Sequence, residues 1–125
     1  MSDARQTVLV VDDDPAQRGL LERVLGLFDL NVQLAASGQE ALDQLARSLP
    51  DLVLLDMQMP DMNGFETLSE IKRIYGDQSP PVVGLSGAPF GDPDQAAVFD
   101  DYILKPFSIS QLGDRLKPYV NINSD

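Results

Sequence analysis

Four apolar runs of this chain end in a side chain able to do chemistry. Val8-Leu9-Val10-Val11 leads into Asp12, Asp13 and Asp14, and Leu52-Val53-Leu54-Leu55 leads into Asp56. Pro81 to Leu85 leads into Ser86, and Tyr102 to Leu104 leads into Lys105, which Pro106 follows. The groups on offer are carboxylates, a hydroxyl and an amine. The 125 residues contain no histidine and no cysteine, which removes disulfides, the usual zinc sites, cysteine nucleophiles and any Ser-His-Asp triad. Carboxylate oxygens without nitrogen or sulfur ligands favour a hard cation, and Mg²⁺ held by one or two carboxylates is the best match.

Five strands and the helices between them must position these groups. The two longest apolar runs read as central parallel strands covered on both faces, and Val32 to Ala36 is a weaker fifth candidate. Asp14 before Pro15 suits an N-cap and first-turn proline, ahead of Leu20, Leu21, Val24, Leu25 and Phe28 at helical spacing. Ser37 with Glu40 suits a capping box before Ala41, Leu42, Leu45 and Leu49, with Pro50 as a stop. Asn63 with Glu66 repeats the device before Leu68, Ile71 and Tyr75, with Gly76 as terminator, and Ser108 with Gln111 does so before Leu112, Leu116 and the breaker Pro118. The glycines and prolines from Gly87 to Pro93 leave room for only a short fourth helix, about Pro93 to Phe99. Right-handed crossovers then give an α/β fold, a doubly wound parallel sheet of order 2-1-3-4-5.

Ligands of such sheets bind at the carboxyl ends of the strands, beside the point where the strand order reverses. Asp12, Asp13 and Asp56 converge there, and carboxylates that close oppose joint ionisation unless a cation compensates. A metal beside a carboxylate, a hydroxyl and a lysine is equipment for phosphoryl transfer, with Asp56 as nucleophile and Ser86 and Lys105 on the phosphoryl oxygens. Each residue also has an ordinary reading. Asp12 to Asp14 suit a turn, Asp14 being the cap itself; an isolated lysine is ordinarily solvated; Tyr102 suits a half-buried strand; and Met57, Met59 and Met62 suit loop packing.

Together, Val8 to Pro15, Asp51 to Gly64, Leu85-Ser86-Gly87 and Tyr102 to Phe107 resemble the response-regulator receiver domain of two-component signalling, over Thr7 to about Val120. The resemblance implies a flavodoxin-like, CheY-like (βα)5 fold. It implies Asp56 as phospho-acceptor from a partner phosphohistidine. Mg²⁺, or Mn²⁺, would be bound by Asp13, Asp56 and the backbone carbonyl of Gln58, with Asp12 acting through water. Ser86 and Lys105 would hold the phosphoryl group, the Lys105-Pro106 bond would be cis, and Ser86 with Tyr102 would form the switch. Its partners would be a histidine kinase or histidine phosphotransfer protein and a downstream target or output domain, with a phosphorylation-dependent dimer as a further implied state.

The chain departs from the family pattern between Ser86 and Tyr102, which is about three residues short, nearly one helical turn. That shortening falls in the fourth helix, part of the family's usual partner surface. Ser86 stands where threonine is commoner, and Gln58 and Ala88 occupy positions that tune the lifetime of the acyl phosphate. Two other readings compete: a degenerate receiver acting only as an interaction module, and a haloacid-dehalogenase-like phosphatase using Asp12 and Asp14. With 20 acids against 9 bases and a net charge of −11, direct nucleic-acid binding is not expected. A composition of 43% hydrophobic and 23% charged residues, with no long apolar run and no leader pattern at Met1 to Thr7, suggests one compact domain in the cytoplasm. With the resemblance, that implies a single receiver domain over 1–125, with loose ends at 1–6 and 121–125.

Overall fold

Continuous apolar runs become strands whose two faces are both covered. In a computed structural model that describes residues 5–57, 64–87 and 99–122, the strands are β1 (Thr7–Val11), β2 (Asn31–Ala35), β3 (Leu52–Asp56), β4 (Val82–Ser86) and β5 (Asp101–Leu104). They form one sheet of order β2-β1-β3-β4-β5, and every pairing is parallel. The fold expected from the alternating segments is therefore the one observed. Four α-helices lie among the described residues: α1 (Pro15–Leu27), α2 (Gly38–Arg47), α3 (Gly64–Tyr75) and α4 (Ile109–Leu116).

The period-two alternation of strand side chains divides the core in two. Val8 and Val10 of β1 join Leu52, Leu54, Val83 and Leu85 against Leu21, Val24, Leu25, Leu112 and Leu116 of α1 and α4. Leu9, Val11, Val53 and Leu55 face the other way, against Ala41, Leu45, Leu68 and Ile71 of α2 and α3. Burial on both faces is what lets β3 and β4 dispense with polar residues until Asp56 and Ser86, and β1 after Thr7.

Local chemistry sets where the helices begin and end. The Asp14 carboxylate accepts from the Ala16 amide at 3.0 Å with Pro15 in the first turn, and Ser37 Oγ accepts from the Glu40 amide at 3.1 Å. Ser108 and Gln111 close a full capping box, each side chain accepting from the other's amide. Gly76 ends α3 at φ +53°, a left-handed conformation that glycine adopts without a Cβ penalty.

Several expectations need correction. Leu20 stands 53% exposed on the outer face of α1, and Leu49 lies beyond the end of α2 and is 44% exposed, so neither joins the core. Near the ends, Gln6 Oε1 accepts from the Asn121 amide at 2.6 Å and the Gln6 carbonyl accepts from the Asn31 amide at 2.9 Å. Asn63 and Ala88 lie outside the described residues, as does the fourth helix expected at 93–99 except for Phe99, which is buried.

Candidate functional site

Strand register brings the chemistry to one rim. Val11 is level with Ala35 and with Leu55, Asp56 with Leu85, and Ser86 with Leu104, so Asp12, Asp56, Ser86 and Lys105 all fall at carboxyl ends of neighbouring strands. The ladder continues one step past the strands: the Asp12 amide donates to Ala35 O at 3.0 Å, Met57 N to Leu85 O at 3.0 Å and Lys105 N to Ser86 O at 2.7 Å. Side chains at this rim therefore start from fixed backbone.

Asp12, Asp13 and Asp56 each offer a carboxylate oxygen, and these atoms lie within 4.8 Å of one another. Asp12 and Asp56 are 1% and 4% exposed, while Asp13 faces solvent and keeps the group open to an incoming ion. Lys105 Nζ reaches Asp56 Oδ1 at 3.3 Å, from a lysine preceding a cis Lys105-Pro106 bond. Ser86 is buried at the end of β4. Tyr102 is half-buried on β5 and lines a surface hollow of about 530 Å³ with Pro106, Phe107, Gln111 and Arg115. The expected acidic group, the lysine and the serine thus meet at one rim, with Tyr102 further along the adjoining strand. Gln58 lies outside the described residues.

Asp12 shows what the rim lacks. Its Oδ1 accepts from the Asp14 amide at 2.9 Å, but among the described residues its buried Oδ2 has no hydrogen-bond partner. Burial pushes the Asp12 carboxyl up to about 6; the Asp14 amide opposes this, the Asp56 charge adds to it and Lys105 moderates it. A bare buried carboxylate oxygen among oxygen-only donors fits a hard divalent cation, which would remove the charge that burial resists.

Arg18 was not singled out in the sequence. Its Nη1 donates to the Asp12 carbonyl at 2.8 Å. The available signal was a basic residue one turn past the Asp14 cap, where the first helical turn folds back over the preceding strand end. Met57 packs as expected of a loop methionine: it is 8% exposed, its sulfur blocks the space a Cβ on Gly64 would take, and it would be in tight contact, at 3.2 Å, with a Cβ on Gly84.

Residues 8–117 match the family model described as the response regulator receiver domain. Among curated relatives, an uncharacterized 14.6 kDa protein in the sodA1 3′ region of Leptolyngbya boryana is 37% identical, over 82% of this chain and 81% of that one. Response regulator MprA of Mycolicibacterium vanbaalenii is 38% identical, over 88% of this chain and 48% of its own, so this chain spans about half of that protein. Among solved structures, chemotaxis protein CheY4 of Vibrio cholerae aligns with a TM-score of 0.86 at 27% identity, covering 94% of this chain and 100% of that one. Response regulator protein TrrA of Thermotoga maritima, in complex with Mg²⁺-BeF, aligns with a TM-score of 0.83 at 28% identity, covering 92% and 99%.

Proposed function

The chain belongs to the response-regulator receiver domain family of two-component signalling, and from that premise we propose that it is a switch loaded by phosphorylation of Asp56. A partner's phosphohistidine, on a histidine kinase or a histidine phosphotransfer protein, is the donor. A carboxylate oxygen of Asp56 bonds to phosphorus as the P–N bond breaks, and the released imidazole takes up a proton. Lys105 then pairs with the phosphoryl oxygens, and the Ser86 hydroxyl donates to one of them.

Mg²⁺ or Mn²⁺ would be held by Asp13 and Asp56 with the Gln58 carbonyl, and by Asp12 through water. When bound, the ion neutralises the charge crowded at the rim and the charge that arrives with phosphate. TrrA, whose fold this chain shares, is in complex with Mg²⁺-BeF, which supports this assignment.

The acyl phosphate adds about 1.5 to 2 negative charges at the rim. Movement of Ser86 onto it frees space for Tyr102 to turn inward, changing the surface seen by a downstream target, an output domain or a second copy. The chain assists its own loading and slow unloading and otherwise acts by binding. We place it in the cytoplasm; among the described residues no helix is long and apolar enough to cross a membrane.

One observation carries this reading: Lys105 Nζ at 3.3 Å from Asp56 Oδ1, with Asp12 and Asp13 oxygens within 4.8 Å of that carboxylate. Incubation with Mg²⁺ and acetyl phosphate should add one phosphoryl group by intact mass, and Asp56→Asn should add none. Equal labelling of Asp56→Asn removes Asp56 from its role. A native chain that takes up neither Mg²⁺ nor phosphoryl is a degenerate receiver, and repeated turnover of phosphate esters marks a phosphatase.

A further inference from the structure

Hydrogen bonds at its amide, its side chain and its carbonyl hold Asp12 in place. Its amide donates to Ala35 O at 3.0 Å, its Oδ1 accepts from the Asp14 amide at 2.9 Å, and its carbonyl accepts from Arg18 Nη1 at 2.8 Å. The first two use backbone partners on β2 and on the turn itself, which no side-chain change removes. The third is a side-chain contact and comes from α1. Arg18 is also fixed to the turn through its own amide, which donates to Asp14 O at 2.9 Å, so the half-buried arginine closes a ring around Asp12, Asp13 and Asp14.

The plane of the peptide joining Asp12 to Asp13 is what the guanidinium grips. That plane helps set the direction of both carboxylates leaving the turn, and with Oδ1 of Asp12 accepting from Asp14, Oδ2 is the oxygen more open to an ion. We infer that Arg18 is a positioning residue for the cation site: by holding the Asp12 carbonyl it aims the Asp12 and Asp13 carboxylates at the seat they share with Asp56. The inference rests on the cation-binding reading above. A planar guanidinium suits the task because it loses less freedom per hydrogen bond than a lysine amine does.

Charge and geometry make opposite predictions here. A guanidinium beside a cation's seat repels the cation, so if Arg18 acted only as a charge, its removal would tighten Mg²⁺ binding. If it acts by orientation, its removal loosens binding, as loss of a group that orients a metal ligand commonly does by about tenfold or more.

The experiment is a Mg²⁺ titration of acetyl phosphate labelling for the native chain, Arg18→Gln, Arg18→Lys and Arg23→Gln, the last an exposed arginine of the same helix. For Arg18→Gln, half-maximal labelling should need about tenfold more Mg²⁺, with the rate at saturating Mg²⁺ kept within about twofold. Arg18→Lys should recover most of the affinity, and Arg23→Gln should match the native chain. An Arg18→Gln requirement equal to or below the native one overturns the inference. If Arg18→Gln does not fold, exchange of the Asp14 amide in Arg18→Met, which keeps the apolar stem and loses the donor, takes its place: faster than native supports the role, unchanged overturns it. A native chain that needs no Mg²⁺ overturns the cation site itself, and this inference with it, whereas native dependence with an unaltered Arg18→Gln removes only the inference.

Discussion

Asp12 carries two oxygens with different fates. Oδ1 accepts from the Asp14 amide, and among the described residues Oδ2 is buried without a partner beside Asp56. Its carboxyl, raised to about 6 mainly by burial, sits above the ordinary carboxylate range of an unfolded chain. The folded, metal-free protein therefore holds this proton more tightly than the unfolded one, and stability from this group is lost as pH rises from about 4 to about 6. Asp12→Asn keeps an oxygen for the Asp14 amide and turns an N–H₂ toward Asp56. In EDTA it should exceed the native chain by about 1–3 kcal/mol at pH 7, with the difference shrinking toward pH 4.5. Denaturant melts at both pH values check this; a difference that does not change with pH would mean that Asp12 ionisation is not its cause. Mg²⁺ works in the other direction, since an ion competes with the proton, and native Mg²⁺ affinity should fall as pH drops below about 6.

Strands and helices set what each residue can reach. β3 ends in Asp56, and the chain then packs Met57 between α3 and β4: a Cβ on Gly64 would meet the Met57 sulfur at 2.5 Å and its Cα at 2.9 Å. The sulfur can swing aside, but the Cα belongs to backbone fixed by Met57 N donating to Leu85 O. Gly64→Ala should therefore push the start of α3 off the sheet and cost about 1–3 kcal/mol, read as a lower Tm. An unchanged Tm would mean that α3 slides freely. Caps and strands were legible because their causes are local: Asp14 before Pro15, Ser108 with Gln111, Gly76 after Tyr75, and apolar runs that can only be buried. Leu20 misled because helical spacing gives a stripe without saying how wide its buried part is, and Leu49 because α2 ends at Arg47, with Ser48 already extended, before the stripe reaches it.

At the scale of the molecule, 20 acids against 9 bases leave −11, and the compact state concentrates that charge. Raising NaCl from about 10 to about 150 mM shortens the screening length from about 30 to about 8 Å and should raise Tm by relieving self-repulsion. Mg²⁺ at matched ionic strength should add a further rise that Asp13→Asn abolishes. Equal Tm in Na⁺ and Mg²⁺ would contradict a specific seat. The sequence by itself determined the α/β class, the strand order, the caps at Asp14, Ser37 and Ser108, and that Asp12, Asp56, Ser86 and Lys105 stand at strand ends, because burial periodicity and turn chemistry are written residue by residue. Tertiary structure alone decided that strand register levels Val11, just before Asp12, with Leu55, just before Asp56, that Lys105 reaches Asp56 across 49 residues, that Asp12 Oδ2 has no partner among the described residues and that Arg18 grips the Asp12 carbonyl. Those are distances between segments remote in sequence, and only the packing of helices on the sheet fixes them.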